Sequence, residues 1–368
     1  MLTNLRLENF KGFSQIDIPF RPITLLAGLN STGKSSVIQA LLLLKQIDYQ
    51  RDPSTDHFEL FPNGDFVSQG SGRELLHEFA TSDEIRIICQ INDKLHDWCF
   101  RYSPETHRLV TKGVYERHDL TPLNMLRFSY LSAERWGPRL TYPYEDAEQT
   151  EGLGVYGEYA IRRLIDHGDD PVSNIAIRHP NAKGAGLIHQ VQAWLGEISP
   201  GVRLDVNPLR DAGVSLVGFG FDRRGDVASR YYRPTHVGFG LTYSLSILVA
   251  LLSSEPGMVL LIENPEAHLH PRGQTQLARL MALASSKVQI VVETHSDHVM
   301  NGLRVAVKQG AIAPENLCFH YFRRDGVTSS IDTPEIDRDG RLSFWPDGFF
   351  DEHEHVLASL VQRSVERS

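Results

Sequence analysis

Apolar and polar residues alternate from Leu2 to Phe10, with Leu2, Leu5, Leu7 and Phe10 set among Thr, Asn, Arg and Glu. That period of two predicts a half-buried strand. Gly12 permits a turn, and Ile16-Asp17-Ile18 continues as a second strand leading to Pro22. Ile23 to Ala27 is a short apolar run that reads as a fully buried strand, and Ser36 to Leu44 is rich in helix formers. Arg51 to Ser71 is polar and carries Pro53, Pro62, Gly64 and Gly70, which predicts an irregular loop. Ile85–Ile88, Trp98–Tyr102 and Leu109–Thr111 then follow as a meander that would complete a sheet with the first two strands. Leu126 to Ala133 gives one more strand.

Beyond residue 151 the period changes to that of helices. Two amphipathic helices are expected near Tyr156–His167 and Gly186–Ile198, and an apolar helix from Val237-Gly238 to about Leu252. Met258–Ile262 and Gln289–Val292 are continuous apolar runs, as expected of parallel strands buried on both faces. Short strands after His320 and a terminal helix over Glu352–Arg363 end the chain. No heptad run, internal repeat or low-complexity stretch interrupts this order. The expected division is a first lobe over 1–150, a small helical insertion over 151–206 and a second lobe over 207–368.

Composition narrows the class without naming it. A chain of 368 residues with 41% hydrophobic and 23% charged residues has ample material for a globular core. The net charge of −9 argues against a broad nucleic-acid or membrane footprint, although a local basic groove stays open. Cys89, Cys99 and Cys318 are scattered and odd in number, which fits a reducing compartment and no disulfide framework. With no basic-then-apolar leader and no apolar run near ~18 residues, a cytoplasmic protein is expected.

The chemistry enters at Gly28-Leu29-Asn30-Ser31-Thr32-Gly33-Lys34-Ser35, which matches the phosphate-binding loop G-x-x-x-x-G-K-[ST]. A buried strand before it and a helix opening at the Lys supply the context that motif needs. Backbone N–H groups of Asn30 to Ser36 would cradle phosphates, Lys34 would reach the terminal ones, and the Ser35 hydroxyl would hold Mg²⁺. The second strong signal is Met258-Val259-Leu260-Leu261-Ile262-Glu263-Asn264-Pro265-Glu266-Ala267-His268-Leu269-His270-Pro271. Its acids stand at the carboxyl end of a buried strand, where open α/β sheets bind ligands. His268, His270, His295, His298, His353 and His355 invite a zinc reading, but a metallohydrolase needs acids and a third His converging, and the phosphate loop already accounts for the neighbourhood.

These motifs carry a family resemblance. Leu-Glu-Asn-Phe-Lys-Gly-Phe (Leu7 to Phe13) ahead of a phosphate loop resembles the opening of the ATPases related to RecF, SMC and OLD proteins. The string Glu263-Asn264-Pro265-Glu266-Ala267-His268-Leu269-His270-Pro271 is similar to that of a bacterial AAA-like, OLD-related ATPase family often encoded beside defence genes. Trp345-Pro346-Asp347-Gly348-Phe349-Phe350 resembles that family's tail. The resemblance spans nearly the whole chain. It implies an ABC-type P-loop head: α/β, with a mixed parallel core sheet, an N-terminal antiparallel accessory sheet and a small helical insertion in place of a coiled-coil arm.

The resemblance also distributes roles. With the register fixed by Pro265, Glu263 takes the Mg²⁺-ordering position and Asn264 the place of the usual catalytic Glu. His295 takes the place of a His that bonds the γ-phosphate, with a structural strand-end His as the alternative. Gln69 is the candidate for a Gln that touches the metal, or else an ordinary loop residue. Gly238, Gly240 and Thr242 resemble a degenerate ABC signature that contacts the nucleotide of a second protomer; helix packing through small residues is the other reading. Arg135 and Arg139 are either contacts to phosphate or a partner carboxylate, or a solvated loop pair.

The implied function is ATP binding with Mg²⁺ and slow hydrolysis, since an amide at position 264 cannot accept a proton from water. Two protomers would sandwich two ATP, and the switch would control a separate effector such as a nuclease or toxin in antiviral defence. A DNA-repair or DNA-end-binding head is the competing class, and a transporter ATPase a third. OLD-type nucleases continue into a Toprim domain that the residues after His320 are too few to form, so no built-in nuclease is expected.

Overall fold

A computed structural model describes residues 1–49, 59–104, 108–112, 127–144, 152–222, 229–346, 348–350, 356–357 and 359–360. The terminal helix expected over 352–363, His353, His355 and Asp347 lie wholly or largely outside the described residues, as does the start of the 51–71 loop.

In chain order the first lobe contains β1 (Leu2–Phe10), β2 (Phe13–Pro19), β3 (Ile23–Gly28), α1 (Lys34–Tyr49), β4 (Glu59–Leu60) and the single turn α2 (Gly72–Leu75). It continues through β5 (Glu84–Ile91), β6 (Lys94–Ser103), β7 (Arg108–Thr111), β8 (Phe128–Leu131) and β9 (Tyr142–Pro143). Next come α3 (Ala160–His167), α4 (Leu187–Ile198), β10 (Val202–Leu209), β11 (Val214–Phe221), α5 (Phe239–Leu252) and β12 (Val259–Glu263). The chain closes with α6 (Pro271–Ala284), β13 (Gln289–Glu293), α7 (Asp297–Lys308), β14 (Leu317–Asp325) and β15 (Thr328–Asp332).

The central sheet has the order β15-β14-β3-β13-β12-β8. All neighbours pair in parallel except the edge strand β15. The period-two rule explains how one sheet serves two cores. Ile23, Leu25, Leu260, Ile262, Ile290 and Val292 face one side, where α3 to α7 bury their apolar stripes. Leu26, Val259, Leu261 and Val291 face the other, where α1 and the accessory sheet close over them. α1 lies between the two sheets, and its run Leu41-Leu42-Leu43-Leu44 is buried throughout, as a helix apolar on all sides must be.

The accessory sheet is antiparallel with the order β2-β1-β5-β6-β7-β4, as the alternation predicts, with β4 arising inside the expected loop. The helices of the expected insertion are present, but α3 and α4 share one core with α5, α6 and the central sheet. The boundary placed at residue 206 falls inside β10. β10 pairs with β11, and β11 with β9, in a three-stranded sheet that the sequence pattern did not announce. Pro208, Gly218 and Gly220 within those strands dilute the β signal. Among the described residues no helix is long and apolar enough to cross a membrane.

Candidate nucleotide-binding site

β3 delivers the chain to the carboxyl edge of the central sheet, and the loop Leu29–Gly33 turns it into α1. Two glycines make that turn possible. Gly28 and Gly33 hold φ of 141° and 103°, and a Cβ on Gly33 would come 2.6 Å from the Phe13 ring. Ser31 also sits at positive φ, and the Thr32 hydroxyl donates to the Leu29 carbonyl at 2.8 Å. The loop and the start of α1 line a cavity of about 410 Å³ whose walls include Lys11, Ser31, Gly33, Lys34, Ser35 and Gln39.

Lys34 is only 3% exposed and folds back over its own loop, donating to the carbonyls of Gly28 at 2.9 Å and Leu29 at 2.7 Å. Burial lowers its pKa, and the nearby Glu293 charge opposes that shift. Ser36 donates its N–H to Gly33 at 3.1 Å, and Asn30 is exposed at the loop tip. Lys11, on the turn before β2, donates to Gln39 Oε1 at 2.6 Å and also to the side-chain oxygen Oε1 of Gln69. Gln69 thus reaches the cavity through Lys11, whose pKa falls to about 8 because it is buried. Arg324, on β14, donates to the Ser31 carbonyl at 3.1 Å and forms part of the cavity wall.

The acids arrive from the neighbouring strands. Glu263 and Glu293 end β12 and β13 in direct register. Glu263 accepts the Ala133 N–H at 3.0 Å, and burial raises its pKa. Glu293 accepts the Ser35 hydroxyl at 2.8 Å, and its pKa rises to about 7, first through burial and then through the Glu263 charge. The motif register did not point to Glu293, although it too is an acid closing a buried apolar run. Lys11 and Arg324 were likewise assigned no role, since residues brought in by other hairpins leave no local mark.

Asn264 stands at φ 43°, a left-handed conformation that Asn tolerates better than most side chains. Its N–H donates to the Glu293 carbonyl at 2.8 Å, and its buried side-chain oxygen has no partner among the described residues. Glu266 has both oxygens engaged, one by the Thr294 hydroxyl and one by the His295 N–H, each at 2.7 Å. The His295 ring is exposed just past β13, and burial of part of it together with the Lys34 charge lowers its pKa. His270 caps α6, accepting the Arg272 N–H at 3.3 Å.

Arg135 is neither a phosphate contact nor a solvated residue. It is 2% exposed, and its guanidinium donates to the carbonyls of Ser132 at 2.9 Å, Asn264 at 2.6 Å, and Glu263. It staples the turn after β8 to the end of β12. Arg139 lies over the Trp136 ring at 3.8 Å. The signature-like turn is elsewhere, at the start of α5. Gly238 and Phe239 are exposed there, Thr242 is buried, and Gly240 packs so tightly on the His268 carbonyl that no side chain fits. None of these residues lines the phosphate-loop cavity. The family-like tail has a packing role: Phe349 is buried against Tyr321 and Trp345 at ring separations of 5.1 and 5.3 Å.

Comparison with known proteins bears on the whole assembly. Residues 1–123 match the family model "AAA ATPase domain", and residues 161–301 match "AAA domain, putative AbiEii toxin, Type IV TA system". Residues 312–360 match "Protein of unknown function (DUF3696)". No curated protein matches the chain. Among solved structures, an SMC head bound to the C-terminal winged-helix domain of ScpA is 15% identical with a TM-score of 0.52, covering 91% of this chain and 98% of that one. The SMC head with an extended coiled coil, bound to the C-terminal domain of ScpA derived from Pyrococcus furiosus, is 13% identical with a TM-score of 0.50, covering 98% and 99%. The family matches thus mark ATPase-domain regions on both sides of residue 150, and the fold is the one shared with SMC heads.

Proposed function

We propose that this ATPase is a slow, ATP-gated switch that acts as a self-associated pair and controls a separate effector protein in bacterial antiviral defence. The observation that carries the pairing is the separation of the two nucleotide-facing elements. The phosphate loop opens into one cavity, while the exposed Gly238-Phe239 turn stands outside it, beside His268. A second copy laid head to tail would bring each signature-like turn over the other's phosphates. That SMC heads of this fold were solved with a bound ScpA domain supports a head that receives a second protein. The defence setting rests on the family resemblance alone.

In the site, Lys34 would leave the carbonyls of Gly28 and Leu29 for the terminal phosphates, and the N–H groups from Asn30 to Ser36 would cradle the rest. The Ser35 hydroxyl and the Glu263 carboxylate are hard oxygen donors at one sheet edge and fit Mg²⁺, with Gln69 as a third donor once it leaves Lys11. The bound ion supplies charge neutralisation of the phosphate oxygens. His295, neutral at pH 7, would donate to the γ-phosphate. Asn264 can orient the attacking water but cannot take its proton, and a positioned base contributes typically 10²–10⁴-fold. Turnover well below the ~10 s⁻¹ enzyme median follows.

Light scattering tests the pairing: a slowly hydrolysed ATP analogue should give larger particles than ADP, and identical masses would refute the sandwich. Phosphate release tests the chemistry. Glu263→Gln should nearly abolish it, whereas Asn264→Glu should hold or raise it. Asn264→Asp makes the same test with a side chain suited to left-handed backbone. A fast parent enzyme that loses activity in both Asn264 variants would overturn the role given to the amide.

A further inference from the structure

We propose that Glu293 is a further Mg²⁺ ligand of this ATPase, acting with Ser35 alongside Glu263, the acid that ends the Walker B strand. The proposal rests on the ATPase reading of the site and adds a residue that no motif position assigns. It begins with the order of the strands. β13 lies between β3, which carries the phosphate loop, and β12, which carries Glu263. Neighbouring strands are ~4.8 Å apart, so the end of β12 is roughly twice as far from β3 as the end of β13 is. The carboxylate that reaches the phosphate-loop hydroxyl is accordingly that of Glu293, at 2.8 Å from Ser35 Oγ.

The second observation concerns the other oxygen of the same carboxylate. Glu293 is only 5% exposed, and its Oε2 has no hydrogen-bond partner among the described residues. Buried carboxylate oxygens are ordinarily satisfied, and one left without a partner next to a phosphate site calls for a ligand. The third is the company it keeps. Glu263 ends the adjacent strand in register, so two acids stand side by side at the sheet edge, with Lys34 near Glu293 and Arg135 near Glu263. A divalent ion between Ser35 and the pair would satisfy the open oxygen and offset the repulsion of like charges. Magnesium commonly takes one or two carboxylates with substrate phosphates and water, so the donor set is sufficient. A purely structural Glu293 would need only the oxygen that holds Ser35, which an amide could supply equally well.

Calorimetry of ATP binding in Mg²⁺ and in EDTA separates the two roles, with electron paramagnetic resonance of Mn²⁺ as a direct readout of the metal. For the parent, affinity should be higher with Mg²⁺ than in EDTA. Glu293→Gln should keep the EDTA affinity, lose the metal-dependent gain by about tenfold or more and lose bound Mn²⁺, as removal of a metal-site group does. Its nucleotide-free melting temperature should match or exceed the parent's, because a buried charge is gone. Glu293→Asp, which keeps the charge, should restore part of the Mn²⁺ signal. Full retention of the metal-dependent gain in Glu293→Gln would overturn the proposal. So would an equal loss in both buffers accompanied by a lowered melting temperature, the signature of a structural role. A parent that binds ATP in neither buffer would overturn the ATPase reading, and the proposal with it.

Discussion

Replacing Arg135 by alanine should destabilise the protein by about 2–6 kcal/mol and slow hydrolysis more than it weakens ATP binding. The magnitude follows from two opposing effects. The guanidinium makes three hydrogen bonds, to the carbonyls of Ser132, Glu263 and Asn264. Hydrogen bonds to a charged group contribute ~1.5–3 kcal/mol net, so the set contributes roughly 5–9 kcal/mol. Against that stands the cost of burying the charge, which lowers the Arg135 pKa from its ordinary value to about 10. A shift of that size corresponds to about 3 kcal/mol. The hydrogen bonds win, and their loss also leaves two carbonyls at the end of β12 and one in the turn after β8 without their donor.

Urea unfolding of the parent, Arg135→Ala and Arg135→Lys measures this directly. The Lys variant should fall between the other two, since an ammonium cannot span the fork of acceptors that the planar guanidinium reaches. The functional split follows from position: Arg135 touches the ends of β12 and of the turn after β8, but not the phosphate loop. Its loss should let Glu263 and Asn264 drift while Lys34 and its loop stay in place. Stability within 0.5 kcal/mol of the parent would refute the reasoning, because roughly that much is expected of an ordinary surface change. Loss of ATP binding at parent stability would instead make Arg135 a nucleotide contact.

Two further outcomes are expected. Lys34→Ala should lose ATP binding in calorimetry, because in the proposed site Lys34 would be the main side-chain donor for the terminal phosphates; parent-like affinity would mean that the loop has been misread. His320 is buried, its Nε2 donating to the Pro19 carbonyl and its Nδ1 accepting the Thr333 hydroxyl, each at 2.7 Å, and burial lowers its pKa to about 4. The unfolded chain protonates His near pH 6.5, so the neutral side chain contributes full stability above that pH. About 3 kcal/mol should be lost as pH falls from 6.5 towards 4, and His320→Gln should flatten that slope in urea titrations.

What the sequence disclosed and what it withheld divide along physical lines. Strands buried on both faces and the phosphate loop write themselves locally, through apolar runs and obligatory glycines, and β3, α1, β12 and β13 stand where those runs predict. Arg135 could not be read, because its partners are backbone carbonyls, two of them about 130 residues away, and a carbonyl looks the same beneath every side chain. Asn264 is the harder case, since its identity answers two demands at once. The chemistry of the position asks for a base, whereas the backbone at φ 43° favours Asn over Glu. A sequence prints the residue but not the dihedral, so the amide reads only as a missing base. With the dihedral known, the same amide is also what lets the chain turn between Glu263 and Pro265. The proton acceptor given up at that turn is what slow turnover would report, and Asn264→Asp is the substitution that returns it on the same backbone.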